Sequence, residues 1–159
     1  LHVSEMNGWA KFVSMQNHYN LVYREEEREM IPLCKDQGIG LIPWSPMARG
    51  FFAGDRKRGG GGESVRANSD PFANDLYFRE EDFTVADRAQ EIAKAHNVTA
   101  SQIALAWVLS KPHIAAPIIG SSKIEHLEQA IAALEIKLSD EEISQLEEPY
   151  RPHPILGHS

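Results

Sequence analysis

The stretch that decides the fold is residues 11–44, KFVSMQNHYNLVYREEEREMIPLCKDQGIGLIPW. Residues 11–16 are a short β-prone run that ends at polar residues, and residues 39–44 are an apolar run typical of a buried strand. Residues 25–37 between them predict a helix, because their three leading glutamates suit the positive N-terminal end of a helix dipole. Pro32 predicts a kink or a restart within this helix. A strand, a helix and a strand with short connections indicate a parallel β/α unit.

The pattern continues downstream with two further helices. Residues 84–97 have apolar side chains on one side, and residues 99–111 are apolar almost all round, which predicts a deeply packed helix. Thr99 and Gln102 stand at capping-box spacing where the second of these helices begins. The remaining predicted elements are a buried strand at 115–119, a helix at 122–134 with the apolar stripe Ile124, Leu127, Ile131 and Leu134, a short helix at 139–148 and an extended tail at 149–159.

The composition is that of an ordinary globular domain. The chain has 159 residues, with 16 Lys and Arg against 23 Asp and Glu, so its formal net charge is −7. This acidic balance argues against general nucleic-acid binding, and no apolar run approaches the ~18–20 residues that cross a bilayer. The only cysteine, Cys34, lies beside apolar residues, which favours packing over nucleophilic chemistry. We therefore expect a cytoplasmic protein with no membrane or nucleic-acid partner.

Residues 45–82 are predicted to form one long loop, a feature that is usually functional inside a compact domain. The four consecutive glycines at 59–62 are typical of a flexible spacer, since they lack the Lys and the Ser or Thr of a nucleotide-binding loop. A basic cluster surrounds them, and its positive field suits a phosphorylated ligand. A solvated loop with incidental basic residues explains the cluster as well. Its members are Arg49, Arg56, Lys57, Arg58 and Arg66.

The most informative stretch for chemistry is IIGSSKIEHLEQA, residues 118–130. A predicted strand ends in glycine and a helix follows at once, so free backbone N–H groups and the helix dipole favour an anion there. Helical spacing puts Ser122, His126 and Gln129 on one face. Ser122 and Glu125 also fit a plain capping box. These residues therefore predict phosphate binding and simple capping about equally.

An aromatic side chain ends the middle strand. Trp44 is followed by Ser45 and Pro46, and in a β/α fold the carboxyl end of a strand faces the region where ligands bind. Core packing explains the same residue equally well. No group of His, Cys, Asp or Glu has the spacing of a metal site, and no Gly-x-Ser-x-Gly elbow is present.

Taken together, these motifs resemble the aldo-keto reductase superfamily. Residues 14–54 resemble its sixth strand, sixth helix and seventh strand, residues 99–134 its seventh helix, eighth strand and eighth helix, and residues 138–152 its C-terminal helix and tail. The specific part is WSPMARG followed by PIIGSSKIEHLE. The sequence is similar above all to NADP-linked reductases, including aryl-alcohol dehydrogenase-like and potassium-channel β-subunit-like members. The implied fold class is α/β, the C-terminal part of a (β/α)8 TIM barrel with about three parallel strands.

The resemblance also implies a binding site for NADP. Gln16 would hydrogen-bond the nicotinamide carboxamide, Trp44 would stack on the nicotinamide ring, and Arg66 would lie near the adenosine phosphate. The pyrophosphate would be lined by Ser45, Pro46, Met47, Arg49 and Gly50, and the adenosine 2′-phosphate and adenine would be surrounded by Gly120, Ser122, His126 and Gln129.

The sequence departs from the family pattern in two ways. Many relatives carry Arg, Glu and Asn where this chain has His126, Gln129 and Ala130, so these positions alone do not predict a preference for NADPH over NADH. The segments that carry the family's catalytic Asp, Tyr, Lys and His do not occur here, and Tyr19 and Tyr23 follow the wrong strand to replace the tyrosine. A complete barrel needs at least ~200 residues. We therefore expect a partial barrel that contains no catalytic residue and is inactive alone.

Two functions are open from the sequence. The first is an NADP-dependent oxidoreductase that reduces aldehydes or ketones to alcohols, with a small-molecule carbonyl substrate. The alternative is a nucleotide-sensing or interaction subunit of the same fold with little turnover. Strands taken from the end of a barrel leave two open sheet edges. We therefore also expect the chain to pack against the missing N-terminal half or to associate with itself through those edges.

Overall fold

The computed structural model describes residues 1–54 and 76–155. It is mostly helical around a small parallel sheet. In chain order, the elements are α1 (His2–Asn7), β1 (Ser14–Met15), a 3-10 turn (Glu25–Glu27), α2 (Met30–Gln37), β2 (Gly40–Leu41), a 3-10 segment (Ala48–Ala53), α3 (Glu80–His96), α4 (Ala100–Leu109), α5 (Ile124–Ala132), a 3-10 turn (Ala133–Glu135) and α6 (Asp140–Glu147).

The parallel pair of strands predicted within residues 11–44 is present but short. β1 and β2 run parallel, with Ser14 opposite Gly40. An isolated parallel bridge from His18 to Trp44 continues the alignment toward the carboxyl ends of the strands. The two ends therefore lie at the same edge of the sheet, as a β/α unit requires.

The third predicted strand, at 115–119, is wrong as a continuous strand. Only one isolated parallel bridge falls within this segment, from Trp44 to Ile118, and a second joins Leu41 to Ile114 just before it. The Ile118 N–H donates to the Pro43 carbonyl at 2.8 Å. Pro43 and Pro117 have no N–H of their own, so a regular ladder is interrupted on both sides of this contact.

The predicted helix at 25–37 is divided in two. After a 3-10 turn, α2 begins at Met30, which puts Pro32 in the first helical turn. A proline is tolerated there because the N–H it lacks has no partner in the first turn. The predicted restart of this helix is therefore confirmed. α2 ends at Gly38, whose φ of 67° is the left-handed conformation that suits glycine.

The main core lies where α4 packs against its neighbours. Its capping box is confirmed, since the Gln102 N–H donates to Thr99 Oγ1 at 3.3 Å and the Thr99 N–H donates to Gln102 Oε1 at 3.0 Å. The side chains of Ile103 and Trp107 are fully buried. The prediction that this helix is packed almost all round is therefore confirmed.

Exposed apolar side chains lie on both sides of the small sheet. On the side of α5, the stripe that an amphipathic helix normally buries has no cover within the described residues. On the side of β1, the chain around α1 is exposed in the same way. The exposed fractions are 62, 39, 57 and 54% for Ile124, Leu127, Ile131 and Leu134, and 59, 72, 63 and 70% for Val3, Met6, Trp9 and Phe12.

Candidate nicotinamide-side site

The carboxyl ends of β1 and β2 bring Gln16 and Trp44 to one edge of the sheet. Met15 and Leu41 pack into the helical core. Because side chains alternate across a strand, Gln16, His18 and Trp44 lie on the opposite face. The Gln16 side chain is exposed and that of Trp44 is half-buried. By the strand register, this face carries the Gln16 amide two positions before the paired rings of His18 and Trp44.

Trp44 stands at the end of a stack of rings. The His18 imidazole lies 4.0 Å from the indole with an angle of 13° between the planes. On its other side, His18 lies 4.2 Å from the Tyr23 phenol at 15°. The sequence left core packing and ligand binding as alternatives for Trp44. In the structure, one face of the indole packs against His18.

A buried hydrogen-bond network holds His18 in this stack. Its Nε2 lies 2.7 Å from Tyr77 Oη and 3.3 Å from Asn20 Nδ2. The Asn20 amide has two hydrogens, which it donates to the Tyr77 hydroxyl and the Ser45 carbonyl, so the contact with Tyr77 is the principal hydrogen bond of Nε2. Burial, the largest cause, lowers the pKa of His18 to about 3. His18 is therefore a neutral imidazole at physiological pH.

The loop that follows β2 has a strained backbone. Ser45, Ala48 and Arg49 have φ values of 53, 48 and 53°. Each costs on the order of 1–2 kcal/mol in a residue that has a side chain. Such strain clusters at ligand sites, where the surrounding packing holds it. Of the predicted pyrophosphate residues, Pro46 is buried, and Ser45, Met47, Arg49 and Gly50 are half-buried.

The predicted anion site before α5 is rearranged. α5 begins at Ile124 with no side-chain cap, so the capping box of Ser122 with Glu125 is wrong. Ser122 precedes the helix, and only His126 and Gln129 share a helical face. The first N–H groups of α5 are left without an intrahelical partner. Gly120, Ser122, His126 and Gln129 are all exposed.

A cavity of about 340 Å³ lies beside Gln129. The Gln102 Nε2 donates to the Gln129 carbonyl at 3.1 Å and so joins α4 to α5 next to it. Apart from Gln129, sequence reasoning missed the lining residues, because four separate segments meet there and no local pattern relates them. The lining consists of Phe52, Ala53, Gln90, Thr99, Ala100, Ser101 and Gln129.

The predicted phosphate contact Arg66 lies outside the described residues, together with Arg56, Lys57, Arg58 and glycines 59–62. Its role stays a prediction. The long loop predicted for 45–82 includes the 3-10 segment Ala48–Ala53, and α3 begins at Glu80.

The two tyrosines considered as proton donors are both buried. Tyr19 is 0% exposed and Tyr23 is 2% exposed. The Tyr19 hydroxyl donates to Glu27 Oε1 at 2.6 Å. Burial and this hydrogen bond raise the pKa of Tyr19 well above its ordinary value. Both belong to the buried core, and Tyr23 stacks against His18.

Cys34 is 2% exposed, as expected for a packing residue, and burial raises the pKa of its thiol. Within residues 1–54 and 76–155, no three His, Cys, Asp or Glu side chains come together as a metal site. In the same ranges, no helix combines the length and apolar composition needed to cross a bilayer.

Comparison with known proteins identifies the family. The model of the aldo/keto reductase family matches residues 2–151, so the chain belongs to that family. A Schizosaccharomyces pombe protein provisionally named as an aryl-alcohol dehydrogenase is 48% identical over 98% of this chain and 43% of its own length. The versiconal hemiacetal acetate reductase of Aspergillus parasiticus is 43% identical over 97% of this chain and 45% of its own length.

A solved structure agrees with the family assignment. A thermostable aldo-keto reductase crystallised with the inhibitor epalrestat matches with a TM-score of 0.66 and 27% identity, over 94% of this chain and 44% of that one. The fold is therefore part of an aldo-keto reductase barrel. The chain spans less than half the length of the curated relatives it matches.

Proposed function

We propose that this chain supplies the NADP-binding part of an oxidoreductase that reduces aldehydes or ketones to alcohols. One observation carries the proposal: the parallel register of β1 and β2 brings Gln16 and Trp44 to the same edge of the sheet, at the carboxyl ends of the strands. In β/α folds this edge is where cofactors and substrates bind. Membership of the aldo/keto reductase family supports the reaction class.

The residues present fit a nicotinamide dinucleotide. The Gln16 side chain offers both a donor and an acceptor to a carboxamide, and Trp44 offers an aromatic face to a flat ring. The uncapped N-terminus of α5 and the exposed Ser122 beside it suit a phosphate. The cavity beside Gln129 has the size of a small-ligand site.

Each residue in this chain then has a binding or orienting role. Bound NADPH supplies the hydride that reduces the carbonyl carbon. Gln16 orients the carboxamide, and Trp44 covers one face of the nicotinamide and excludes water from it. No residue within the described ranges is assigned to protonating the carbonyl oxygen, because Tyr19 and Tyr23 are both buried in the core. We propose that the proton donor belongs to another segment of the barrel.

Titration of the intact protein with NADPH and NADH tests this function. We expect both cofactors to quench tryptophan fluorescence, and Trp44→Phe to abolish most of that quenching. Trp9→Phe is the matched control, since Trp9 is 63% exposed and lies outside the site. Absence of any fluorescence change, together with no carbonyl reduction across a broad panel of aldehydes and ketones, would contradict the proposal. Normal cofactor binding without turnover would instead identify the nucleotide-sensing alternative.

A further inference from the structure

We propose that His18 is a positioning residue: Tyr77 holds it against one face of Trp44, so that the other face of the indole is fixed in place for a nicotinamide ring. The inference rests on the proposed function, because that function puts the ring on Trp44. It goes further by naming what orients the indole.

The ring stack supplies the orienting contact. With 4.0 Å between the centroids and 13° between the planes, the His18 imidazole lies almost parallel to the indole. Tyr23 backs the imidazole from its other side at 4.2 Å. His18 is 8% exposed and Tyr23 is 2% exposed. A tilt of the indole would therefore require both buried rings to move, and dense packing resists such a movement.

Tyr77 and Asn20 prevent His18 from rotating. The Tyr77 hydroxyl lies 2.7 Å from His18 Nε2, and Asn20 Nδ2 donates to the same hydroxyl oxygen at 3.1 Å. All three side chains are buried, so breaking this network would leave polar atoms unsatisfied. Asn20 Nδ2 also donates to the Ser45 carbonyl at 3.0 Å. The same network thus holds the backbone of the residue that follows Trp44.

Tyr77 is 59 positions from His18 in the sequence, so this lock depends on tertiary structure. Phe51 packs against Tyr77 with ring centroids 6.0 Å apart. Phe51 belongs to the 3-10 segment Ala48–Ala53, which begins with the strained residues Ala48 and Arg49. The Tyr77 side chain, which contacts His18, is therefore itself packed against the 3-10 segment Ala48–Ala53.

The neutrality of His18 suits this position. An oxidised nicotinamide ring carries a positive charge, and a cationic imidazole stacked behind Trp44 would oppose its binding. His18 is buried, and burial keeps its imidazole neutral. The stack therefore orients the indole without an added charge that would favour the reduced cofactor over the oxidised one.

The test compares Tyr77→Phe with Tyr150→Phe in the intact protein. Both variants lose one hydroxyl with short hydrogen bonds, but the Tyr150 hydroxyl bonds to Glu25 at 2.6 Å and the Arg24 N–H at 3.0 Å instead of to His18. Affinity is measured for NADPH, for NADH and for 2′-phospho-ADP-ribose, which has no nicotinamide. We expect Tyr77→Phe to weaken both dinucleotides by about 2- to 10-fold, the scale of one aromatic pair. It should leave 2′-phospho-ADP-ribose unchanged, and Tyr150→Phe should change none of the three affinities.

Two further measurements complete the test. His18→Gln removes the stacked ring and should give the same pattern of losses if Tyr77→Phe does not fold. In the unmodified protein, 15N NMR should show His18 as a neutral imidazole at pH 6, and a charged ring would overturn the inference.

The outcomes separate the two proposals. Equal losses of affinity for all three ligands, or no loss for any of them, would overturn the positioning role of His18. The proposed function would still stand in that case, provided that the unmodified protein binds the cofactor. If the unmodified protein binds neither dinucleotide, the proposed function is wrong and the positioning role falls with it.

Discussion

His153 Nε2 lies 2.8 Å from Asp82 Oδ1, and the two side chains are only 2% and 3% exposed. This buried contact joins the C-terminal tail to the first turn of α3. The Asp82 carboxylate also accepts the Arg79 N–H at 3.0 Å, and the His153 N–H donates to Glu25 Oε1 at 2.8 Å. The described part of the tail is therefore fastened to the core although it has no regular secondary structure.

The Asp82→Ala variant should destabilise the protein by about 1.5–3 kcal/mol, the scale of hydrogen bonds to a charged group, because it removes the bond to His153 and the bond at the start of α3. The free energy of unfolding from urea titration measures the effect. Glu91→Ala is the control, since Glu91 pairs with Arg88 at 3.0 Å on the surface of the same helix. The control should cost less than about 1 kcal/mol. Similar small losses for both variants would show that the buried contact is not stabilising.

Glu147 should make the stability depend on acid pH. Burial alone would raise its pKa, but the hydrogen bond from Lys111 and the charge of Arg24 lower the pKa below the ordinary value of 4.5. A carboxylate with a lowered pKa stabilises the fold above its unfolded pKa, and this stability is lost as the pH falls through the folded pKa. Glu147→Gln should therefore cost about 1–3 kcal/mol at pH 7 and much less at pH 3. Urea titrations at the two pH values measure this, with the exposed Glu148→Gln as control. A loss that does not change with pH would contradict the prediction.

Ser139 and Ser122 should behave differently although both were predicted to cap helices. The Glu142 N–H donates to Ser139 Oγ at 3.2 Å, whereas α5 has no side-chain cap. Ser139→Ala should lower the free energy of unfolding by about 1 kcal/mol. Ser122→Ala should leave stability unchanged and weaken binding of 2′-phospho-ADP-ribose. Thermal unfolding and ligand titration of the two variants check this, and a stability loss in Ser122→Ala would restore the capping interpretation.

Trp44 and Arg66 should have separable effects on the two cofactors. Trp44→Leu should weaken NADPH and NADH alike, because Trp44 is proposed to contact the part they share. Arg66→Ala should weaken chiefly NADPH, by about 1.5–3 kcal/mol, the scale of a charged hydrogen bond. Isothermal titration with each cofactor measures the loss of affinity for NADPH and for NADH. Arg88→Ala is the control, at a half-buried arginine on α3. Equal losses for both cofactors in Arg66→Ala would remove Arg66 from this role and turn attention to His126.

Residues 1–159 alone should associate and should not reduce carbonyl substrates. Apolar burial contributes ~25 cal/mol per Å², and Leu127 and Ile131 on α5 are 39% and 57% exposed. Light scattering should give a mass above the monomer, and the double variant Leu127→Glu and Ile131→Glu should reduce it. Ile155→Glu in the tail, at a residue 65% exposed, is the control. A monodisperse monomer that reduces a carbonyl would show that the open edges are tolerated and that a proton donor exists in this chain.

Local signals in the sequence predicted α2 to α6 but not α1, and two of the three predicted capping boxes are present. The capping boxes at Thr99 and Ser139 depend on residues three positions apart, so the sequence contains all that they need. The same reasoning was wrong at Ser122, although Glu125 has the right spacing, because α5 begins one residue later than the pattern requires and has Lys123 at its N-cap position. The third strand was overpredicted because its apolar run met β2 at prolines, which cannot donate to a ladder.

The sequence by itself determined the parallel β/α order, the buried helix α4 and, through its motifs, the family and the positions of Gln16 and Trp44 at strand ends. Only the tertiary structure decided what surrounds Trp44. Tyr77 reaches His18 across 59 positions, and four separate segments form the cavity beside Gln129. Periodicity and capping arise from neighbours within one turn or one strand, and they can be read along the chain. A stacked ring or a shared cavity arises from close packing between distant segments, which no local pattern encodes.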